Sequence, residues 1–230
     1  MRGWVLSTVV VEGGAYHREI APVTFPLLAA YAEKWDMLWV PHLVTDAELD
    51  EFNRHSPAPQ GTGAGYANNR RYRELLNNHA GLVIMDSDTV VVRSDDDICT
   101  QVTDEQPIAL SPGCNCGTVV MKHHPKPLEF FDIAWARRDH FKRMQWLDQA
   151  CMMELMGWDP VYPGDGISPR FLGDTEWTPL LATLSHLYNS HPLHPTPPEG
   201  FRRTIHPGGV QPFTRRLEMV KEWADQSDLH

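Results

Sequence analysis

Hydrophobic and polar positions follow two periods along the chain, near 2 in some stretches and near 3.6 in others. Trp4 to Val11 is a β-branched run that Gly13-Gly14 ends, which predicts a first strand. Thr24-Phe25-Pro26 opens a helix that runs to Trp35, because Leu27, Leu28, Ala30 and Tyr31 recur at helical spacing and Pro26 is tolerated in a first turn. Met37 to Val40 reads as a second strand. Thr45-Asp46-Ala47-Glu48 has the capping-box pattern and starts a helix towards His55. After the loop "SPAPQGTGAG", a helix from about Asn68 to Asn77 leads into a strand from Gly81 to Met85. Further on, "PIALSPG" and "NCGTVVMKH" read as strands, "PLEFFDIAWARR" and "WLDQACMMELMGW" as helices. This alternation predicts an α/β fold with a mostly parallel sheet flanked by helices, binding its ligands beyond the carboxyl ends of the strands. Ser7, Thr8 and Val9 are placed near that rim on the first strand, Asp86 and Asp88 on the third.

With 230 residues the chain is long enough to bury about 70% of its unfolded surface. The net charge of -10 argues against a surface built to hold a nucleic-acid backbone, leaving only local basic clusters at Arg70, Arg71 and Arg73 and at Arg137, Arg138, Lys142 and Arg143. No apolar run reaches the roughly 18 residues of a membrane span. The β-branched start lacks a small-x-small cleavage site, so it reads as a strand and not as a signal peptide, and the expected location is cytoplasmic. Cys99, Cys114, Cys116 and Cys151 have neither disulfide nor zinc spacing, and Cys114 and Cys116 are expected to be core thiols beside a strand. Ten of the nineteen prolines gather between Pro160 and Pro212 and make the C-terminal third rich in loops.

The chemistry concentrates in "GLVIMDSDTVVVRSDDD", residues 81 to 97. In extended backbone, residues i and i+2 point to the same side, so Asp86 and Asp88 converge while Ser87 turns away. Hard carboxylate oxygens suit Mg²⁺, Mn²⁺ or Ca²⁺. An EF-hand is excluded, since Val91 stands where that loop requires glycine. The alternative is an acidic strand cap with no ion.

Two families share such a pair. Asp86-Ser87-Asp88-Thr89-Val90-Val91 matches the first motif of the haloacid-dehalogenase-like phosphatases, in which Asp86 would be nucleophile and Asp88 acid. That family carries the motif near its N-terminus and adds a later G-D-x-x-x-D, which "GDGISP" and "GDTEWT" do not supply. Over roughly residues 4 to 213 the sequence resembles the GT-A glycosyltransferases, above all the retaining galactosyltransferase and α-xylosyltransferase groups. Four ordered blocks carry the resemblance: "RRYRELLNNHAGLVIMDSDTVVVRSDDDI", "NCGTVVMKHHPKPLEFFDIAW", "WLDQACMMELMGW" and "IHPGGVQPF".

The resemblance implies a single GT-A domain with a Rossmann-like mixed sheet: a nucleotide-binding half over 1–98, an acceptor-binding half over 99–213 and a C-terminal helix over 214–230. It implies a metal-dependent glycosyltransferase using a nucleotide-sugar donor, with UDP the expected nucleotide, and an acceptor hydroxyl. Asp86, Asp88 and His206 would hold Mn²⁺ or Mg²⁺, the imidazole favouring Mn²⁺. Ser7, Thr8, Arg71, Ser87, Asn115, Gly117 and Gly209 would line the donor site, and Asp148 and Gln149 would stand near the reacting carbon. Trp158, Tyr162 and Trp177 are candidates to stack on an acceptor.

Three departures stand out. The family's D-Q-D reads Asp148-Gln149-Ala150 here. Gln211 is the nearest counterpart of a lysine that touches the diphosphate, leaving Arg215 or Arg216 as candidate substitutes. The membrane anchor of Golgi members is missing, which points to a bacterial or viral enzyme. A non-catalytic relative that uses the acidic cluster only for structure is the remaining reading.

Overall fold

In the computed structural model, residues 2–53, 69–111, 115–144, 148–161, 170–185, 187–190, 202–207 and 210–229 are described. The strands among the described residues are, in chain order, β1 (Arg2–Val11), β2 (Leu38–Val44), β3 (His79–Met85), β4 (Val90–Val91), β5 (Ile108–Ser111), β6 (Asn115–Lys122), β7 (Trp158–Asp159), β8 (Arg170–Phe171), β9 (Leu181–Thr183) and β10 (Thr204–Ile205). The α-helices are α1 (Ala21–Lys34), α2 (Asp46–Asn53), α3 (Asn69–Asn78), α4 (Pro125–Ala136), α5 (Arg138–Phe141), α6 (Asp148–Leu155) and α7 (Phe213–Ala224). The loop "SPAPQGTGAG", His55, Asn68, Cys114, Tyr162, Gly209 and the side chain of Asp148 lie outside the described residues.

Six strands make the central sheet in the order β2-β1-β3-β6-β5-β9. The pairs β1–β2, β1–β3 and β5–β9 are parallel, whereas β6 runs antiparallel to both β3 and β5. The antiparallel β6 positions the site. Met85, the last residue of β3, pairs with Thr118 near the start of β6, so the N-x-G stretch begins where D-x-D begins.

Both faces of β3 are covered, which explains its nearly unbroken apolar sequence. On one face, α3, α4 and α6 deliver Leu75, Leu76, Phe130, Phe131 and Met152 onto Val5, Leu82 and Val119. On the other, Leu28 and Tyr31 of α1 pack on Leu6, Val83, Met85 and Val120. A third apolar cluster sits beneath α7, where Met219, Val220 and Trp223 cover Val90 and Ile205 of the antiparallel β4–β10 ribbon. β2 lies at the edge of the sheet, the place where a strand tolerates Pro41.

Local signals account for several element starts. Thr45 Oγ1 accepts from the Glu48 N–H at 3.3 Å and Glu48 Oε2 accepts from the Thr45 N–H at 2.8 Å, the reciprocal capping box expected for α2. The first helix differs from the expectation. It begins at Ala21, after a π-turn over Tyr16–Ile20, so Pro22 takes the first-turn place and Pro26 lies inside the helix. β2 likewise runs past Val40 to Val44 because its whole length pairs with β1. Among the described residues no helix is long and apolar enough to cross a membrane.

Candidate metal centre

β3 ends at Met85, and the chain turns at once, with the Thr89 N–H bonded to Asp86 O at 2.9 Å. The Asp86 N–H donates to Gly117 O at 2.9 Å, tying the acidic turn to β6. Thr24 of α1 donates its hydroxyl to Ser87 O at 2.7 Å and fixes the turn from the other side. The pair therefore has two environments: the Asp86 side chain is 46% exposed, and that of Asp88 is 4% exposed.

His206 follows β10 and reaches both carboxylates. Its Nε2 is 3.1 Å from Asp86 Oδ2 and 3.2 Å from Asp88 Oδ1. Burial alone would lower the imidazole pKa, but the Asp88 charge, with the hydrogen bonds to Asp86 and Asp88, outweighs it and lifts the value to about 10. Behind Asp88 stands Arg216 of α7, largely buried, its Nη1 3.4 Å from Asp88 Oδ2 and its Nε donating to Val210 O at 3.2 Å. Burial lowers the Arg216 pKa. Arg215 turns outward to Glu218 and Glu222, so Arg216 is the residue of that pair at the site.

Gly117 makes room for His206, since a Cβ built there would overlap the imidazole Nδ1 and stand 2.6 Å from Asn189 Oδ1. Asn115 Oδ1 accepts from the Gly117 N–H at 2.9 Å and from Asn189 Nδ2 at 2.7 Å. Asn189, which the sequence reading did not single out, has φ +58° and its N–H is held by Thr204 Oγ1 at 2.6 Å. An asparagine between β9 and β10 was the available signal, because this residue type tolerates the left-handed region.

One donor atom from each of Asp86, Asp88 and His206 lies within 4.8 Å of the others. Two hard carboxylates and one imidazole suit Mn²⁺ or Mg²⁺, and the exposure of Asp86 leaves a side open for a substrate oxygen. The residues fit a divalent cation.

The remaining expected site residues fall in several places. Ser7 is fully buried and donates to Val40 O at 2.7 Å, so its hydroxyl joins β1 to β2. Thr8 is buried too, with no partner for Oγ1 among the described residues. Ser7 pairs with Ile84, and continuing that register brings Val9 level with Asp86; both line one small cavity. Arg71 pairs with Glu74 at 2.7 Å and lines a separate groove beside Leu38 and Val40. Its neighbours are occupied as well, Arg70 by Glu51 and the Trp135 ring, Arg73 by Asp132. From α3 it is Asn69 and Tyr72 that face the Asp86 cavity. Asp148 is the first residue of α6, and the half-buried Gln149 follows it, with Nε2 4.0 Å from Met153 Sδ. Trp177 is buried under Lys126, whereas Trp158 packs on the exposed Phe171.

No protein-family model matches the chain, and no curated protein matches it. Solved structures do. A glycosyltransferase involved in glycosylation of the major capsid of PBCV-1 aligns over 96% of this chain and 100% of its own, with TM-score 0.58 and 12% identity. GlyE of Streptococcus pneumoniae TIGR4, also a glycosyltransferase, gives TM-score 0.53 at 13% identity, covering 97% of this chain and 60% of that one. The galactosyltransferase LgtC, solved with donor and acceptor sugar analogs, gives 0.50 at 15%, covering 97% and 96%. At these identities the likeness is one of fold. The chain has the GT-A fold of glycosyltransferases, with its three candidate metal ligands gathered at the carboxyl end of β3.

Proposed function

We propose that this chain is a metal-dependent glycosyltransferase, moving a sugar from a nucleoside-diphosphate sugar, with UDP as the nucleotide, to an acceptor hydroxyl with retention of configuration. The observation that carries the reading is the convergence of Asp86, Asp88 and His206 at the strand-end rim of a sheet with this fold. Asp86 and Asp88 supply the charge of the metal site, and His206 supplies a nitrogen that favours Mn²⁺. The chemistry a divalent cation brings to such a site is neutralisation of the charge that builds on a departing diphosphate.

The protein's own groups divide the remaining work. Arg216 holds Asp88 from behind and keeps that buried carboxylate aimed forward. Gly117 and Asn115 keep the space in which His206 turns its Nε2 to the carboxylates. Asp148 and Gln149, at the start of α6, are assigned to the reacting carbon, one of them as nucleophile or as stabiliser of a short-lived oxocarbenium ion. Residues 1–98 form the donor half and 99–213 the acceptor half. The phosphatase reading is not favoured, because the pair lies in the turn after β3 of a sheet that aligns with those of glycosyltransferases.

Release of UDP from a panel of UDP-sugars, with Mn²⁺ and with chelator, tests the proposal. Metal-dependent release that falls about a hundredfold or more in His206→Ala is the expected result. Metal-independent release, or hydrolysis of an aryl phosphate instead, would refute it. NMR of the product anomer decides retention, and an inverted product removes the role assigned to Asp148.

A further inference from the structure

Beside Asp86 lies a cavity of ≈ 40 Å³ that the proposed chemistry does not yet use. Its half-exposed mouth is formed by Asp86, Val9 and Cys116, and its inner wall by buried apolar groups such as Val119, Phe131 and Met152. Asn69 also lines the cavity, only 3% exposed, and its Nδ2 has no hydrogen-bond partner among the described residues. A buried amide donor left unmade is costly, and a cavity that exposes it invites an oxygen. The described residues lining the cavity include no cationic side chain.

We infer that this cavity selects the donor sugar: it receives the hydroxymethyl group of a neutral hexose, whose oxygen accepts from Asn69 Nδ2. The inference rests on the donor-binding role proposed for Asp86, because a sugar joined to a diphosphate held at that carboxylate lies next to the cavity mouth. The space holds only a few water-sized groups, which suits an exocyclic substituent and not a whole pyranose ring. Apolar walls favour the methylene, and the buried Asn69 amide favours the hydroxyl. A carboxylate in the same place would be desolvated among apolar walls with no counter-charge from the described lining residues, so a uronic acid is rejected. A pentose with no exocyclic carbon leaves Asn69 unsatisfied and binds less tightly.

Calorimetric titration of the Mn²⁺-loaded protein with UDP, UDP-glucose, UDP-galactose, UDP-xylose and UDP-glucuronate tests this. At least one hexose donor is expected to bind about fivefold to tenfold tighter than UDP-xylose and UDP-glucuronate, the value of one buried hydrogen bond. Asn69→Leu, which keeps the volume and removes the donor, is expected to bring that hexose down to the level of UDP-xylose and leave UDP unchanged. Equal binding of UDP-xylose or UDP-glucuronate and both hexoses by the unaltered protein would overturn the inference without any variant. So would an Asn69→Leu protein that loses UDP and UDP-hexose affinity alike. If UDP binds and no sugar is discriminated, the inference alone falls; if neither UDP nor any donor binds, the donor-site reading falls and takes the inference with it.

Discussion

The His206 imidazole stands where any side chain at Gly117 would have to go: a Cβ at 117 would overlap Nδ1, on the far side of the ring from the nitrogen that meets Asp86 and Asp88. A strand glycine and a loop histidine 89 positions apart are thus one device, and neither can change without the other.

Gly117→Ala should therefore displace His206 and weaken Mn²⁺ binding by about tenfold to a hundredfold, the usual range when the support of a ligand is lost. Asp86 and Asp88 remain, so some binding persists. Titration of the purified variant with Mn²⁺, followed by calorimetry, reads the effect; unchanged affinity would show that the ring position is unimportant.

The elevated His206 pKa has two consequences of opposite sign. In the metal-free protein the proton is bound more tightly in the folded state than at the ordinary 6.5, so its stabilisation is complete below pH 6.5 and is lost as pH rises through about 10. A metal ligand must be deprotonated, so Mn²⁺ displaces that proton and its apparent affinity rises with pH up to about 10. Calorimetry at neutral pH in buffers of different ionisation enthalpy should show release of about one proton per ion bound. Zero release would contradict the assignment of His206 as a ligand.

Arg216 offsets the charge of Asp88, both side chains being nearly buried at 10% and 4% exposure. Arg216→Leu leaves that carboxylate facing His206 alone in the metal-free state, and should cost about 1–3 kcal/mol in urea unfolding, reduced by Mn²⁺. A neutral substitution would mean that the 3.4 Å contact contributes nothing.

Lys142 illustrates how little the basic clusters resemble a binding face. Its side chain is fully buried, its Nζ donates to Phe52 O and to Asp139 Oδ1, and it lies over the Phe52 ring at 4.2 Å. Lys142→Met keeps most of the packing and loses the donors, with an expected cost of about 1–3 kcal/mol in denaturant unfolding. Affinity for nucleic acid should be unaffected, and a loss of such affinity in this variant would reopen that surface.

Local signals were the legible part of the sequence. The capping box of α2 and the acidic turn after β3 are each set within a few residues, and both stand in the structure where their residues place them. The antiparallel direction of β6 was not legible, since strand and helix alternation by itself argues for parallel crossovers. That direction is what brings Asn115 and Gly117 to Asp86. Register decided another point: of the rim residues Ser7, Thr8 and Val9, it brings Val9 level with Asp86 on β1. On α3, helical spacing sends Asn69 and Tyr72 to the cavity and Arg71 to a different groove, a choice that three neighbouring arginines concealed. Asn189 escaped notice because its role depends on tertiary contacts with Asn115 and Thr204.

Thermal unfolding with UDP in the presence and absence of Mn²⁺, for the natural sequence and for Asp86→Asn, tests the central claim most directly. Asp86 is half-exposed, so its amide variant should fold. The account predicts that UDP at about a hundredfold over its Kd raises the midpoint by roughly 5–10 °C only when Mn²⁺ is present, and that Asp86→Asn removes the rise. A shift with UDP that ignores both the metal and the substitution, or no shift with any nucleotide, would contradict it.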